Sequence, residues 1–284
     1  LEGLLLRTST MSGLLLWLNL AGSLAAATYY VDCTGDDAND GLDPTRAWQT
    51  IERANQQAYS PGDNVLLRRG CVWQGPGFKA NGNGTAEAPI TLADYDSGEP
   101  DLPVIDALGP HEPAVLLQNV QHWTVRNLEL TQHGQTPQNL DPNNEKGKDA
   151  DRFSDEYMRA VVHVLGLGGP NDPNCGESCT VRNIRLENLV VHDGSWNGIY
   201  VSGGYYQLDS ARFGVADTVV ISQVESFNHH KAGLEITCTY YKTPLYATSN
   251  VWVLDSHLHH NGGDGAMVWP VRNALLDGNL CEFN

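Results

Sequence analysis

Three stretches in the C-terminal half of the chain repeat one pattern of residues. Each begins with a β-rich apolar run, continues through a corner rich in asparagine and histidine, and ends with glycine followed by an aliphatic residue. The copies span 184–201, 219–236 and 251–268, and weaker copies open at Trp123 and Ala274. A repeat at a spacing of roughly 20–50 residues predicts a solenoid of stacked coils. Such a solenoid presents one long groove, which suits a chain-like ligand.

The spacing between copies indicates the length of one coil. The starts at Ile184, Val219 and Val251 lie 35 and then 32 residues apart, and the interval to Ala274 is 23 residues. We take the shortest interval as the bare coil and the longer ones as coils with an added loop. The segment 139–159 breaks the repeat and is read either as a loop over the groove or as a surface insertion. Because the chain stops where a corner is due, the pattern also suggests that further coils follow.

Composition narrows the class of partner. The formal net charge is -17 over 284 residues. This balance argues against nucleic acid as a partner, because binding phosphates needs a surplus of Lys and Arg.

The N-terminus predicts the location of the protein. An apolar run beginning at Met11 and the small residues 25–27 are typical of a secretion signal. A buried N-terminal helix is the alternative interpretation. We therefore expect a signal peptide over 1–27 and one solenoid domain over 28–284, in a secreted monomer that does not span a membrane.

Six cysteines fit an exported protein in which disulfides form. Their pairing cannot be read from the sequence. Cys175 and Cys179 lack the paired spacing of a zinc site, so a disulfide or free thiols are favoured there over a metal.

A helix is predicted near the N-terminus, opened by Pro44 and ended by Pro61. Its apolar positions recur at helical spacing on one face. A solenoid needs a cover on its terminal coil, and we expect this helix to supply it. The residues on the predicted face are Ala47, Ile51, Ala54 and Ala58.

The N-terminal sequence resembles a known family. The runs YYVDCTGDDANDGLDPTRAWQTIERAN (29–55), PGDNVLLRRGCVWQG (61–75) and GTAEAPITLADY (84–95) look like the start of secreted right-handed parallel β-helix proteins. Those proteins are similar to pectate lyases and to the chondroitinase and alginate lyase group. The resemblance implies an all-β, right-handed parallel β-helix, and it is more specific for the fold than for the substrate.

Stacking the copies at their glycine–aliphatic step predicts a ladder of functional side chains. Asn197 and Asp264 each come one residue before the glycine, and equivalent residues of neighbouring coils lie about 4.8 Å apart. Aligning Ala160 with this glycine brings the preceding residue, Arg159, beside Asn197. The predicted edge consists of Arg159, Asn197, Lys231 and Asp264.

This edge suits β-elimination from a uronic acid. The reaction needs a cation to neutralise the sugar carboxylate, a base to remove the adjacent proton, and an acid for the leaving oxygen. The resemblance implies Lys or Arg in these roles, in several members with calcium. We expect Lys231 to be the base, Arg159 the neutralising cation, and His229 or His230 a proton carrier.

The remaining candidates bind calcium or substrate. Carboxylates are the ligands that Ca²⁺ prefers, and Asp193 and Asp264 are the candidates for it. Aromatic rings stack on sugars, and polar groups at the corner would bind hydroxyls. The predicted substrate-binding residues are Trp196, Asn197, Tyr200 and His260.

Structural roles compete with these assignments. Asn197, Asn228 and Asn261 also suit a hydrogen-bonded ladder that satisfies the corner backbone. The histidine-rich corners either hold a metal or are solvated.

Three functions stay open at this point. The first is a secreted lyase acting on an acidic polysaccharide. The second is a glycoside hydrolase with paired carboxylates drawn from Asp193, Glu235 and Asp264. The third is a non-catalytic β-helix that binds glycan.

Overall fold

The computed structural model describes residues 25–95, 98–108, 112–132, 160–166, 179–203, 214–237 and 247–284, and most of them form short β-strands. The predicted signal residues 1–24, the segment 139–159 and Cys175 lie outside these ranges. In chain order the strands are β1 (Thr28–Val31), β2 (Asn64–Arg68), β3 (Val72–Gly75), β4 (Phe78–Lys79), β5 (Ile90–Tyr95), β6 (Val104–Ala107), β7 (Val115–Gln118), β8 (Gln121–Thr131), β9 (Ala160–Leu165), β10 (Thr180–His192), β11 (Asn197–Ser202), β12 (Val215–Ser222), β13 (Glu225–Phe227), β14 (Ala232–Thr237), β15 (Thr248–Leu254), β16 (His257–His259), β17 (Asp264–Val268), β18 (Arg272–Asp277) and β19 (Leu280–Glu282).

The strands stack in three ladders, which we call the first, second and third faces. The first face is β1-β2-β5-β8-β10-β12-β15-β18. The second face runs through β3, β6, the C-terminal halves of β8 and β10, and then β13, β16 and β19. The third face is β4-β7-β9-β11-β14-β17, and the pairings on all three faces are parallel. The chain thus visits the faces in turn and returns one coil later beside its own equivalent strand, as in a parallel β-helix. The right-handed winding is the usual hand of such crossovers and stays a prediction.

The strand register confirms the repeat that was read from the sequence. Trp123 pairs with Ile184, Ile184 with Val219, Val219 with Val251 and Val251 with Ala274. The glycine–aliphatic steps of the three copies align in the same way on the third face. The apolar residues repeat because each coil must bury the same inward positions against its neighbours.

The turn between the first and second faces uses one left-handed residue per coil. Asparagine suits this conformation, because its short amide bonds locally. Asn188 Nδ2 donates to Asn127 Oδ1 at 2.9 Å, and Asn127 Nδ2 donates to Asp94 Oδ1 at 2.8 Å. The aligned positions are Asn127 (φ 57°), Asn188 (49°), Gln223 (55°), Asp255 (48°) and Gly278 (68°).

A second left-handed turn separates the second face from the third. The residue after it carries an asparagine ladder that includes Asn261 but not Asn228, which is the turn residue itself. Asn261 Oδ1 accepts from the His229 backbone N–H at 3.2 Å, and Asn284 Oδ1 accepts from the Asn261 N–H at 3.2 Å. Asn197 does not belong to this ladder, since it lies in β11. The turn residues are Asp193 (φ 54°), Asn228 (58°), His260 (52°) and Phe283 (53°).

The predicted N-terminal capping helix is not confirmed. A 3₁₀ turn (Pro44–Arg46) and a five-residue helix, α1 (Ile51–Asn55), replace it. Trp48 interrupts the helical pattern because its backbone bridges to Val31 of β1, with Trp48 N–H donating to Tyr30 O at 2.9 Å. The tertiary pairing and the complete burial of Trp48 outweigh the local helical preference.

A disulfide joins Cys33 and Cys71 near the N-terminal coils. Cys179 is also disulfide-bonded, and Cys281 carries an exposed free thiol. Within the described ranges, no helix is long and apolar enough to cross a membrane.

Candidate functional site

The outer side of the third face carries a row of buried polar residues. His163, Tyr200 and Glu235 pair in register on β9, β11 and β14. Each lies between residues of the hydrophobic core along its own strand, so alternation directs its side chain away from the core. They are nonetheless only 3–5% exposed. A buried polar row outside the core is a feature that needs a specific explanation.

Glu235 is held by two donors. Lys231 Nζ lies 2.6 Å from Glu235 Oε2, and Asn197 Nδ2 donates to the same oxygen at 2.8 Å. The Lys231 side chain is 21% exposed and the Glu235 side chain 7%. The charged pair therefore lies at the edge of the buried row, where Lys231 retains contact with solvent. Of the predicted edge, the structure brings together Lys231 and Asn197, and it adds Glu235.

Trp196 borders this pair. The Lys231 Nζ lies 5.7 Å from the centroid of the Trp196 ring, and His230 packs on the same ring at 5.2 Å. Within the described residues, two buried polar atoms have no hydrogen-bond partner: Trp196 Nε1 and Asn197 Oδ1. Both atoms are shielded from solvent, so an unpaired donor and an unpaired acceptor lie buried beside the Lys231–Glu235 pair.

His163 was not anticipated from the sequence. Its Nε2 accepts a hydrogen bond from the Ala160 N–H at 2.9 Å, and its ring lies 6.1 Å from that of Tyr200. Burial lowers the pKa of His163 to about 3, so the ring is neutral. The signal was present in the sequence, because His163 is the single polar residue of the apolar run 160–165.

His229 faces the corner and not the candidate site. Its ring is fully buried, its Nδ1 accepts from the Gly194 N–H at 2.9 Å, and its Nε2 lies 3.0 Å from Ser226 Oγ. Ser226 Oγ donates to Gly233 O at 2.8 Å, so Nε2 carries the proton of the neutral ring. Burial lowers the pKa of His229 to about 3. This corrects the expectation of proton transfer to a substrate, since both ring nitrogens are engaged in the fold.

The other predicted residues are placed as follows. His230 is half-buried against Trp196, and burial lowers its pKa. Tyr200 is buried in the polar row. His260 occupies the left-handed corner, with its Nδ1 2.7 Å from that of His259 and its ring 5.0 Å from Phe283. These contacts hold His260 at the corner between the second and third faces.

The calcium ligands predicted from the sequence do not form a cluster in the described residues. Asp193 Oδ2 lies 2.8 Å from His192 Nδ1, and Asp193 Oδ1 accepts from Asn228 Nδ2. The side chain of Asp264 is exposed. Among described residues, the groups of three His, Cys or acidic ligands within 4.8 Å of one another include neither Asp193 nor Asp264. Calcium binding stays a prediction.

Arg159 lies outside the described residues. Ala160 pairs with Asn197, whereas the sequence alignment placed Ala160 opposite Gly198. Asp264 and Asn197 both align with Ala232, as expected.

Comparison with known proteins gives relatives but no family assignment. No protein-family model matches the sequence. The lacto-N-biosidase of Bifidobacterium longum subsp. longum is 28% identical over 217 residues, a match that covers 64% of this chain and 13% of that protein. The solved GH136 lacto-N-biosidase from Eubacterium ramulus superposes with a TM-score of 0.46 at 17% identity, covering 91% of this chain and 55% of that one. Pectate lyase Pel9A gives 0.47 at 16% identity, covering 83% and 54%. This chain thus spans a small part of the curated relative and about half of each solved structure.

Proposed function

We propose that this chain belongs to a secreted glycan-processing enzyme that hydrolyses a glycosidic bond, with Glu235 as one of its two carboxylates. The observation that carries the proposal is the buried Glu235, which Lys231 and Asn197 hold at 2.6 and 2.8 Å. The similarity to a lacto-N-biosidase, a glycoside hydrolase, supports the same class. The Cys33–Cys71 disulfide supports secretion, because such bonds persist in oxidising compartments.

Two donors hold one oxygen of the Glu235 side chain and fix its orientation. Hydrolysis uses one ionised carboxylate as nucleophile or base, and one carboxylic acid to protonate the leaving oxygen. We assign the first role to Glu235. The second falls to Asp264, whose exposed side chain lies in the next coil and whose backbone N–H donates to Lys231 O at 3.0 Å.

Substrate binding follows from the groups around the ion pair. The half-buried Trp196 offers a ring face for a sugar. A glycan lying along the third face would contact this ring and the partly exposed Lys231 before it reached Glu235.

β-Elimination from a uronic acid is the second candidate. Lys231 favours it, since its ammonium is partly exposed beside Trp196. In this reaction we assign to Lys231, which is held against Glu235, the role of the cation that neutralises the sugar carboxylate. Arg159 and His230 are the further candidates for this reaction, with Asp193 and Asp264 as the proposed Ca²⁺ ligands. The partner would then be an acidic polysaccharide.

The class of product separates the two reactions. Purified full-length chain is incubated with panels of neutral and acidic oligosaccharides, and both new reducing ends and ultraviolet absorbance of unsaturated uronate are followed. Hydrolysis predicts new reducing ends without unsaturated product, and their loss in Glu235→Gln. The matched control is Glu187→Gln, which changes a carboxylate paired with Arg185 on the first face. Unsaturated product that needs Lys231 would establish the lyase, and full activity of Glu235→Gln would overturn the hydrolase proposal.

A further inference from the structure

A cluster of imidazole and carboxylate groups lies on the second face, separate from the residues around Glu235. One ligand atom each from Glu225, His257 and His259 lies within 4.8 Å of the others. His259 Nε2 is 3.1 Å from Glu225 Oε1, and His257 Nε2 is 3.0 Å from Glu282 Oε1. The two imidazole rings lie 4.1 Å apart between centroids. Three metal-ligating side chains therefore converge on one patch, and Glu282 lies against one of them.

The β-helix itself produces this convergence. His257 and His259 are two residues apart on β16, so both side chains point to the same side of the strand. Glu225 pairs in register with His257 from the preceding coil, and Glu282 pairs with His259 from the following coil. The two carboxylates thus flank the histidine pair diagonally, one on each side, and of the two it is Glu225 that lies within reach of both imidazoles. The three ligands come from two successive coils of a hydrogen-bonded ladder, which holds them in place without a bound ion.

The separations suit a tetrahedral ion. With metal–ligand bonds of about 2.0–2.2 Å, neighbouring ligand atoms around a tetrahedral zinc lie about 3.4 Å apart. The separation of 3.1 Å between His259 Nε2 and Glu225 Oε1 falls just short of this value, and the three ligand atoms lie within 4.8 Å of one another, so small side-chain movements would let an ion enter. Two imidazole nitrogens with carboxylate oxygen are ligands typical of zinc, whereas calcium prefers six to eight oxygens.

The second ring nitrogen of one ligand is already engaged. His259 Nδ1 lies 2.7 Å from His260 Nδ1, the kind of outer contact that fixes the orientation of a metal-bound imidazole. The His259 ring also stacks on Phe227 at 5.0 Å and 7°, and Phe227 stacks on His192 at 5.2 Å and 10°. Meanwhile Glu225 and His257 are 47% and 36% exposed at their side chains, which leaves the cluster open to an ion from solvent.

We propose that Glu225, His257 and His259 form a Zn²⁺ site that joins two successive coils of the second face and leaves a fourth position open to water. The site is independent of the proposed glycan chemistry, because its ligands lie on a different ladder from Glu235. Its effect is structural: the ion replaces the Glu225–His259 contact by bonds that join strands β13 and β16.

The test uses the full chain, freed of metal with a chelator and titrated with Zn²⁺ alone. We expect one Zn²⁺ per chain by calorimetry and by elemental analysis after dialysis. Zn²⁺ should raise the melting temperature, and Ca²⁺ should not displace it. Substitution by Co²⁺ should give the visible absorption of a four-coordinate ion. Acid should weaken binding, because the imidazoles must be neutral to ligate.

Variants decide whether these residues hold the ion. His257→Gln with His259→Gln should abolish binding, and Glu225→Gln should weaken it at least about tenfold. His122→Gln, which changes a histidine on the first face, should bind like the parent. Circular dichroism confirms that each variant is folded, and Glu225→Gln serves if the double variant is not. Undiminished Zn²⁺ binding in either variant, or no binding by the folded parent at millimolar Zn²⁺, would overturn the proposal.

Discussion

Lys231 and Glu235 form a 2.6 Å ion pair on the outer side of the third face, with 7% of the Glu235 side chain exposed. Both residues belong to one coil, and Asn197 of the preceding coil donates to the same carboxylate oxygen. The polar row of this face is therefore organised across coils by hydrogen bonds, while the core beneath it is organised by apolar repeats. This arrangement leads to predictions for stability as well as for activity.

Removing Lys231 should destabilise the protein. In Lys231→Gln the buried Glu235 carboxylate loses a charged donor and keeps only Asn197, which we expect to cost about 1–3 kcal/mol of unfolding free energy. Urea unfolding of the parent and the variant measures this loss of unfolding free energy. The double variant Lys231→Gln with Glu235→Gln should recover part of the loss, because no charge is then left unpaired. A double variant that loses the full sum of both single changes would contradict this coupling.

The buried imidazoles make stability sensitive to acid. Burial lowers the pKa of His163 from 6.5 to about 3, so the ring stays neutral in the folded protein while it protonates in the unfolded chain. Its contribution is complete above pH 6.5 and is lost as the pH falls from 6.5 toward about 3. The slope is about 1.4 kcal/mol per pH unit for one such group.

His163→Gln tests this dependence. Gln keeps an acceptor for the Ala160 N–H but does not titrate. Unfolding free energies measured at several pH values below 6.5 should fall less steeply in this variant than in the parent. His122→Gln is the control and should keep the parent slope. Parallel curves for His163→Gln and the parent would contradict the assignment of a neutral buried ring.

The Cys33–Cys71 disulfide should be a major stabiliser of the N-terminal coils. It closes a loop of 38 residues in sequence, for which chain entropy gives about 4 kcal/mol. Cys33→Ala with Cys71→Ala should lower the unfolding free energy by roughly that amount in chemical denaturation. Cys281→Ser changes the exposed free thiol and should have little effect. A double variant as stable as the parent would show that the bridge adds nothing to the fold.

Thr218 is a point where the protein can be stabilised. It holds a left-handed backbone (φ 58°) within β12, at a position where the aligned residues of the neighbouring coils are Asn183 and Asn250. A β-branched residue is strained there, so Thr218→Asn should gain about 1 kcal/mol. Thr180→Asn makes the same chemical change where the backbone is not left-handed, and it should not stabilise. A lower melting temperature for Thr218→Asn than for the parent would contradict the claim that Thr218 is strained at this position.

The stacking of the coils could be predicted because all copies share one pattern of buried apolar positions. Ile184, Val219 and Val251 face the core at the same point of successive coils, and their sequence spacing alone sets the register. The predicted register was wrong at Ala160. The repeat is interrupted just before this residue, and the run 160–165 has no glycine that could be aligned with Gly198. The helix predicted over 44–58 was wrong because Trp48 pairs with β1. The periodicity of a short stretch of sequence carries no information about a contact with a separate strand.

The candidate site was less accessible to sequence reasoning. Lys231 stood out because a lysine is unexpected in a tight corner, and the structure places it against Glu235. The burial of Glu235 could not be foreseen, since it depends on what covers the outer side of the third face. His229 and His230 are adjacent and could not be told apart in the sequence. The left-handed turn at Asn228 directs the His229 ring into the fold and leaves His230 beside Trp196.

Chemical rescue of Glu235 tests the central claim most directly. Once a substrate is found, Glu235→Ala is assayed with and without added azide or formate. If the carboxylate acts on the sugar, the variant should lose about 10²–10⁴-fold in rate, and the small anion should restore part of it while becoming attached to the product or replacing the base. Activity of folded Glu235→Ala equal to the parent, without any added anion, would contradict the account.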